Sequence, residues 1–318
     1  MALFIGVDVG GTKVLAAAVS ESGAVRRTAR RSTPGRQVEP RLVEDALTEA
    51  VRAVAAGERV DGVGIAAAGF VDAAGESVVF APHLPWRDEE VRGRLAERWG
   101  TLVALDNDAN CAARAEVAHG AARGASNALV VTLGTGIGGA LVLDGRVHRG
   151  HNGMAGEFGH MQVVPDGEPC QCGGRGCWEQ YSSGSALVRY ARERIGREPT
   201  VLEDLCSGNP DLLAGPMVTA AAADGDLVAR QAFESVGDWL GVGLANLVAA
   251  FDPDLVVIGG GVSAAGDKLL DPARHALGRS LVGAAHRVVP PVLKARLGPQ
   301  AGVVGAADLA REVAQDRR

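Results

Sequence analysis

His160, Cys170, Cys172 and Cys177 follow one another as His-x9-Cys-x-Cys-x4-Cys. A zinc ion takes three thiolates and one imidazole in a tetrahedron, and a site closed by four protein ligands is structural. Gly173, Gly174 and Gly176 allow tight wrapping between the second and third cysteines. Without a metal the same residues would be buried thiols or a redox pair. Glu157 stands three residues before His160, and Glu179 two after Cys177. A metal clip would therefore fix two carboxylates and an imidazole in one small volume, with the second ring nitrogen of His160 able to donate to a partner. Such a group suits a sugar, whose hydroxyls each donate to a carboxylate. The plain alternative is a pair of solvated surface charges.

A second chemistry is written in glycine turns. Asp8-Val9-Gly10-Gly11-Thr12-Lys13 lies between two apolar runs. Glycines let backbone N–H groups approach an anion; Thr12 offers a hydroxyl, Lys13 a charge, and Asp8 a carboxylate for hydrated Mg²⁺. The spacing is not that of a Walker A loop. Alone, the segment reads equally as a hairpin with a surface lysine. Gly134-Thr135-Gly136 repeats it in the second half, and two facing glycine turns would clamp a polyphosphate chain. Gly259-Gly260-Gly261, after another apolar run, is a third place where backbone can approach a phosphate or adenosine. Asp106-Asn107-Asp108 ends a predicted strand. Asp108 is the candidate general base for phosphoryl transfer from a donor to a hydroxyl, with Asn107 orienting a neighbouring hydroxyl. The competing reading is capping of the following helix.

The elements that must position these residues repeat. The pattern predicts strands at Phe4–Val9, Val14–Val19, Ala24–Arg30 and Val63–Ala68, with a helix over Pro40–Ala56 whose Val43, Leu47, Val51 and Val54 share one face. A strand over Leu102–Leu105 and a helix over Ala109–Val117 follow. Leu129–Leu133, Gly138–Leu143 and Arg146–Arg149 repeat the opening three strands, with Asp144-Gly145 as a hairpin turn. A long helix over Val228–Phe251, with Phe251 on its inner side, precedes a strand ending at Gly259. The chain thus reads as two copies of one β-β-β-α-β unit, the second carrying an insertion near residues 150–180. Two α/β lobes of this kind leave a cleft into which the strand-end turns point.

The 318 residues suffice for two domains with a large core, and 47% hydrophobic against 22% charged residues is a globular balance. Net charge is −6, and no basic stripe is visible, so no nucleic-acid partner is expected. No signal peptide is read at the N-terminus. The uncharged stretch Ala125–Leu143 reads as two strands and a turn rather than a membrane span. Five cysteines form no complete disulfide set, which fits a cytoplasmic protein; Cys111 and Cys206 read as isolated core or surface thiols.

Taken together, these motifs resemble the ROK family, and most of all its zinc-containing sugar kinases. The resemblance rests on Asp8–Lys13, on Thr132-Leu133-Gly134-Thr135-Gly136-Ile137-Gly138-Gly139, on Glu157-Phe158-Gly159-His160, and on the run from Cys170 to Glu179. It implies a duplicated actin-like, hexokinase-like (ribonuclease H-like) α/β fold with two lobes around a cleft. Residues 1–118 would form a small lobe and 119–300 a large lobe with the zinc insertion. Helix 301–318 would pack back on the first lobe. It further implies MgATP-dependent phosphorylation of the C6 hydroxyl of glucose, with Asp108 as base and Asn107, Asp108, Glu157, His160 and Glu179 on the sugar. ATP would lie on Asp8, Gly10, Gly11, Thr12, Lys13, Gly134, Thr135, Gly136 and Gly259–Gly261. A homodimer or homotetramer is implied, with a structural zinc and no membrane attachment. N-acetylmannosamine, mannose or fructose are the alternative substrates, and a non-catalytic sugar sensor the more distant reading. Sugar-sensing repressors of the family carry an N-terminal helix-turn-helix, which is not expected here because the phosphate loop begins at Asp8. Where relatives often have Pro-Asn, the chain reads Pro82-His83-Leu84-Pro85-Trp86, so His83 is expected to alter contacts near the sugar or a dimer surface.

Overall fold

The run Phe4–Val9, apolar except for Asp8, forms a strand, β1, whose apolar side chains are buried on both faces. The structure, a computed structural model, describes residues 2–317. After β1 come β2 (Lys13–Val19), β3 (Val25–Ser32), α1 (Pro40–Ala55) and β4 (Gly62–Ala67). Three short strands, β5 (Phe70–Val71), β6 (Val78–Phe80) and β7 (Arg87–Glu89), lead to α2 (Val91–Trp99), β8 (Val103–Asn107) and α3 (Asp108–His119). The second half opens on β9 (Ala128–Leu133), β10 (Ile137–Leu143) and β11 (Arg146–His148). Helices α4 (Gly184–Arg192), α5 (Leu202–Leu205), α6 (Gly215–Asp224) and α7 (Leu227–Phe251) follow, then β12 (Leu255–Gly259), α8 (Asp267–Ser280), β13 (Val292–Lys294) and α9 (Ala301–Asp316).

The first sheet has the order β3-β2-β1-β4-β8, with β1–β2 and β2–β3 antiparallel and β1–β4 and β4–β8 parallel. The second has the order β11-β10-β9-β12-β13, position for position the same plan. Asp144 and Gly145 turn the β10–β11 hairpin with φ of 51° and 73°, the double positive φ of a type I′ turn. The small sheet β5-β6-β7 was not expected, because strands of two or three residues carry no readable periodicity. β3 is an edge strand whose alternating exposed positions carry Arg26 and Arg30, charges that discourage edge-to-edge pairing.

By their contacts the residues divide into two compact units. One comprises the chain up to Ser126, Ala140–Gly156 and the chain from Arg296 onward; the other comprises Asn127–Gly139 and Glu157–Ala295. In the first, α9 packs on β1, β4 and α3. It does so because Gly6 and Gly64 lack side chains: a Cβ on either would fall on the carbonyl of Val303 or Ala306. Gly64→Ala is therefore expected to push α9 outward and cost about 1–3 kcal/mol from overpacking. A lowered urea midpoint with an unchanged slope checks this; an unchanged midpoint would mean that α9 is not seated there. In the second unit, α7 buries Phe233, Val236, Leu240, Leu244 and Leu247 and packs along α8. Phe251, expected on the inner side, is instead 39% exposed at the helix end, its ring 6.3 Å from that of Phe158. No helix among the described residues is long and apolar enough to cross a membrane.

Candidate active site and metal centre

In the first unit, the β1–β2 turn is closed by a bond from Gly10 N to the Lys13 carbonyl (3.1 Å). Thr33 pins it from outside: its hydroxyl donates to the Gly10 carbonyl (2.7 Å) and its N–H to the Thr12 carbonyl (3.2 Å). A trans peptide aims its N–H opposite its carbonyl, so the N–H groups of Gly11 and Lys13 point away from Thr33. Gly11 lies under His83, since a Cβ there would stand 2.5 Å from the His83 Cβ. His83 is thus exposed beside the glycine turn. Asp8, at the end of β1, lies against the first turn of α9: a Cβ on Gly302 would be 3.2 Å from its carboxylate. Burial raises the Asp8 carboxyl above its ordinary value, against the pull of Lys13.

Asn107 and Asp108 sit where β8 becomes α3. The capping reading of this motif falls on Asn107. Asn107 is the N-cap, its side-chain oxygen accepting from Ala109 N (2.8 Å) and Asn110 N (3.1 Å). Its Nδ2 donates to the Gly69 carbonyl (3.1 Å). Asp108 is the first helical residue. Burial, and next the charge of Asp8, pushes its carboxyl up to about 7, while backbone N–H bonds and Asn107 pull it down. A carboxyl raised in this way binds a proton more readily than an exposed one, and its ionised form can accept one.

In the second unit, one ligand atom each from His160, Cys170, Cys172 and Cys177 lies within 4.8 Å of all the others. Cys172 Sγ is 3.6 Å from Cys177 Sγ, and His160 Nδ1 is 3.7 Å from Cys170 Sγ. A tetrahedron with metal–sulfur bonds of ~2.3 Å has edges of roughly 3.8 Å, so the donor set and spacing fit zinc. Nδ1 faces the cysteines, which makes Nε2 the nitrogen left to the opposite side. Burial pushes the Cys170 thiol up, whereas the Gly174 N–H lowers that of Cys172. A cation would hold all three as thiolates. Cys111 and Cys206 are buried away from this cluster, as small core residues.

Glu179 joins the cluster to the second glycine turn. Its Oε1 is 3.1 Å from Cys170 Sγ and 3.7 Å from His160 Nδ1, and its Oε2 accepts from Ile137 N at 3.4 Å. The turn is closed by Gly134 N on the Gly136 carbonyl (3.0 Å), as Gly10 and Lys13 close the first. It is pinned by Gly184 N on the Gly134 carbonyl (2.8 Å) and by the Ser185 hydroxyl on the Thr135 carbonyl (2.7 Å). Glu157 N-caps the single turn Phe158–His160, its carbonyl accepting from His160 N (3.1 Å). Gly260, with φ 79°, touches the end of β9, since a Cβ there would fall on the Leu133 carbonyl. Its glycine is accounted for by packing, whereas Gly261 opens on free space.

Sequence reasoning missed two anchors. Trp178, next to Cys177, is fully buried, donates to the Trp239 carbonyl (2.7 Å) and fills the space left by Gly243 on α7. Its adjacency to the last cysteine was the available signal. Arg149, 43 residues from Asp106, bonds its carboxylate, and no local spacing announces that pair.

Residues 4–313 match the ROK family. A glucokinase of Streptomyces coelicolor is 45% identical over 315 residues, 98% of either chain. Among solved structures, a ROK family glucokinase from Streptomyces griseus, in complex with glucose and AMPPNP, aligns with TM-score 0.91 and 44% identity over 98% of this chain and 100% of that one. A ROK hexokinase from Thermus thermophilus aligns with TM-score 0.77 and 34% identity over 99% of both. The fold is the duplicated actin-like, hexokinase-like α/β fold of these relatives. With a match running from β1 into α9, this chain belongs to the ROK family.

Proposed function

We propose that the chain transfers the γ-phosphoryl group of MgATP to the C6 hydroxyl of glucose. The observation that carries this reading is Asp108: a carboxyl poised near 7 at a strand end, in the same unit as a pinned glycine turn. The full-length likeness to proteins named glucokinase supports the substrate.

In the proposed reaction, Asp108 takes the proton of the 6-hydroxyl as that oxygen attacks the γ-phosphorus. The bond to the β,γ-bridging oxygen breaks, and ADP leaves with the electron pair. Asn107, Glu157, Glu179 and His160 Nε2 hold the other sugar hydroxyls. The N–H groups of the turns at Gly10–Lys13, Gly134–Gly136 and Gly259–Gly261 would receive the phosphates, and Asp8 would hold a hydrated Mg²⁺, which would neutralise phosphate charge. His160, Cys170, Cys172 and Cys177 would hold a structural zinc, which would order the segment carrying Glu157 and Glu179. The division into a lobe of residues 1–118 joined by helix 301–318, and a lobe of residues 119–300, belongs to this reading. So do a cytoplasmic location and a homodimer or homotetramer.

The test is MgATP-dependent 6-phosphorylation of glucose by the purified protein, beside N-acetylmannosamine, mannose and fructose, with inorganic polyphosphate as a second donor. Turnover of glucose well above the others is expected. Activity on another sugar alone would keep the mechanism and replace the substrate. Silence on all four with both donors would overturn the reading.

A further inference from the structure

We infer that Arg149 is a positioning residue for this reaction, holding the β8–α3 junction that carries Asn107 and Asp108 through the carboxylate of Asp106. The inference rests on the function proposed above. Every group it uses lies in the first unit.

Asp106 precedes Asn107 and is 1% exposed. Its Oδ1 accepts from Arg149 Nε (3.1 Å), Asn110 Nδ2 (3.0 Å) and the backbone N–H of Asn107 (2.8 Å). Its Oδ2 lies 4.0 Å from Arg114 Nη2, and Arg114 itself pairs with Glu312 of α9. A buried carboxylate is costly unless it is paired and hydrogen-bonded, and Arg149 supplies the close cation. The other two guanidinium nitrogens are also engaged. Nη1 donates to the Ala73 carbonyl (2.6 Å) and Nη2 to the Asp72 carbonyl (2.8 Å). The Asp72 carboxylate in turn holds Glu76 N (2.7 Å) and Ser77 N (3.2 Å) of the β5–β6 hairpin.

One planar fork thus ties three pieces of chain: the junction before Asp108, the β5–β6 turn, and the segment after β11. Lysine offers one nitrogen and cannot reproduce three bonds in fixed directions. The bonds converge on the residue next to Asn107 and two before Asp108. The turn Gly10–Lys13 is pinned separately, by Thr33. Loss of Arg149 is therefore expected to displace the groups assigned to sugar and proton, and to spare those assigned to phosphate. Misplacement of a reacting group by about 1 Å costs on the order of 10²-fold.

The experiment compares wild type, Arg149→Ala and Arg149→Lys in steady state with glucose and MgATP varied separately, with and without added guanidinium ion at a concentration that leaves wild type unaffected. Expected are a fall of about 10²-fold in kcat/KM for glucose in both variants, an unchanged KM for ATP, and partial recovery of Arg149→Ala alone by guanidinium. A purely structural role would lower kcat through a smaller folded fraction, leave both KM values alone and follow the loss in Tm; that outcome overturns the inference, as does unchanged kcat/KM for glucose. Should Arg149→Ala not fold, Asp106→Asn, which keeps shape and removes the charge Arg149 holds, must give the same split between substrates or the inference fails. A wild type inactive on glucose would instead overturn the proposed function.

Discussion

Asp108→Asn is expected to lower kcat by at least about 10²-fold while leaving glucose binding nearly intact, because positioned general-base catalysis contributes on the order of 10²–10⁴. Asparagine keeps the size of the side chain and its place at the start of α3, where Asn107 rather than Asp108 caps the helix. The helix therefore does not lose its N-cap in the variant. Titration calorimetry of glucose beside kcat separates the two effects, and near-normal turnover would remove Asp108 from the role. The wild-type pH profile carries the same signature. Only the ionised carboxylate can accept the proton, so kcat/KM should rise with pH and level off above about 7, the value to which burial and Asp8 push this carboxyl. Stability should run the opposite way. The folded value lies above the ordinary 3.8, so the neutral form is favoured by folding. The stabilisation is complete below the unfolded value and is lost as pH rises through about 7. Asp108→Asn has no charge to bury. Its Tm should match that of wild type near pH 4 and exceed it by several degrees at pH 8. Equal Tm values at both would mean that the carboxyl is not strained by its surroundings.

Cys177→Ala is expected to abolish metal binding, where wild type carries about one zinc per chain, and to lower Tm markedly. Structural zinc sites in small peptides contribute an apparent ~10–16 kcal/mol to folding, and here the metal closes one segment rather than the whole chain. The effect should be local and large. Cys177 is buried beside Trp178, which reaches the Trp239 carbonyl on α7, so unpicking the cluster frees that indole. A red shift in tryptophan emission on chelation, with the helical circular dichroism preserved, would report this directly. Glucose affinity should fall with the metal, because Glu179 stands 3.1 Å from Cys170 Sγ. Metal-free wild type with the Tm of Cys177→Ala supports the assignment; wild type that purifies without metal and is indifferent to the substitution ends it.

Local spacing was enough for the cluster of His160 and three cysteines, for both glycine turns and for the duplicated strand plan. Each is a short-range pattern: ligands within eighteen residues, a turn between two apolar runs, and periodicity over six or seven residues. Phe251 was misplaced because periodicity does not say where a helix leaves the core. The β5–β7 sheet was missed because its strands are shorter than any readable period. Only the tertiary structure decided which residue of Asp106-Asn107-Asp108 caps α3, since that depends on where β8 stops and α3 starts. It also decided that Asp106 is a buried anchor, because its partner Arg149 is 43 residues away and comes from another strand connection. Burial and the proximity of Asp8 likewise set the proton affinity of Asp108, and both come from packing β1, β8 and α9 together. Residue types determined what chemistry was available to this protein, and the long-range packing of those strands and that helix decided which carboxylate is buried and raised in proton affinity.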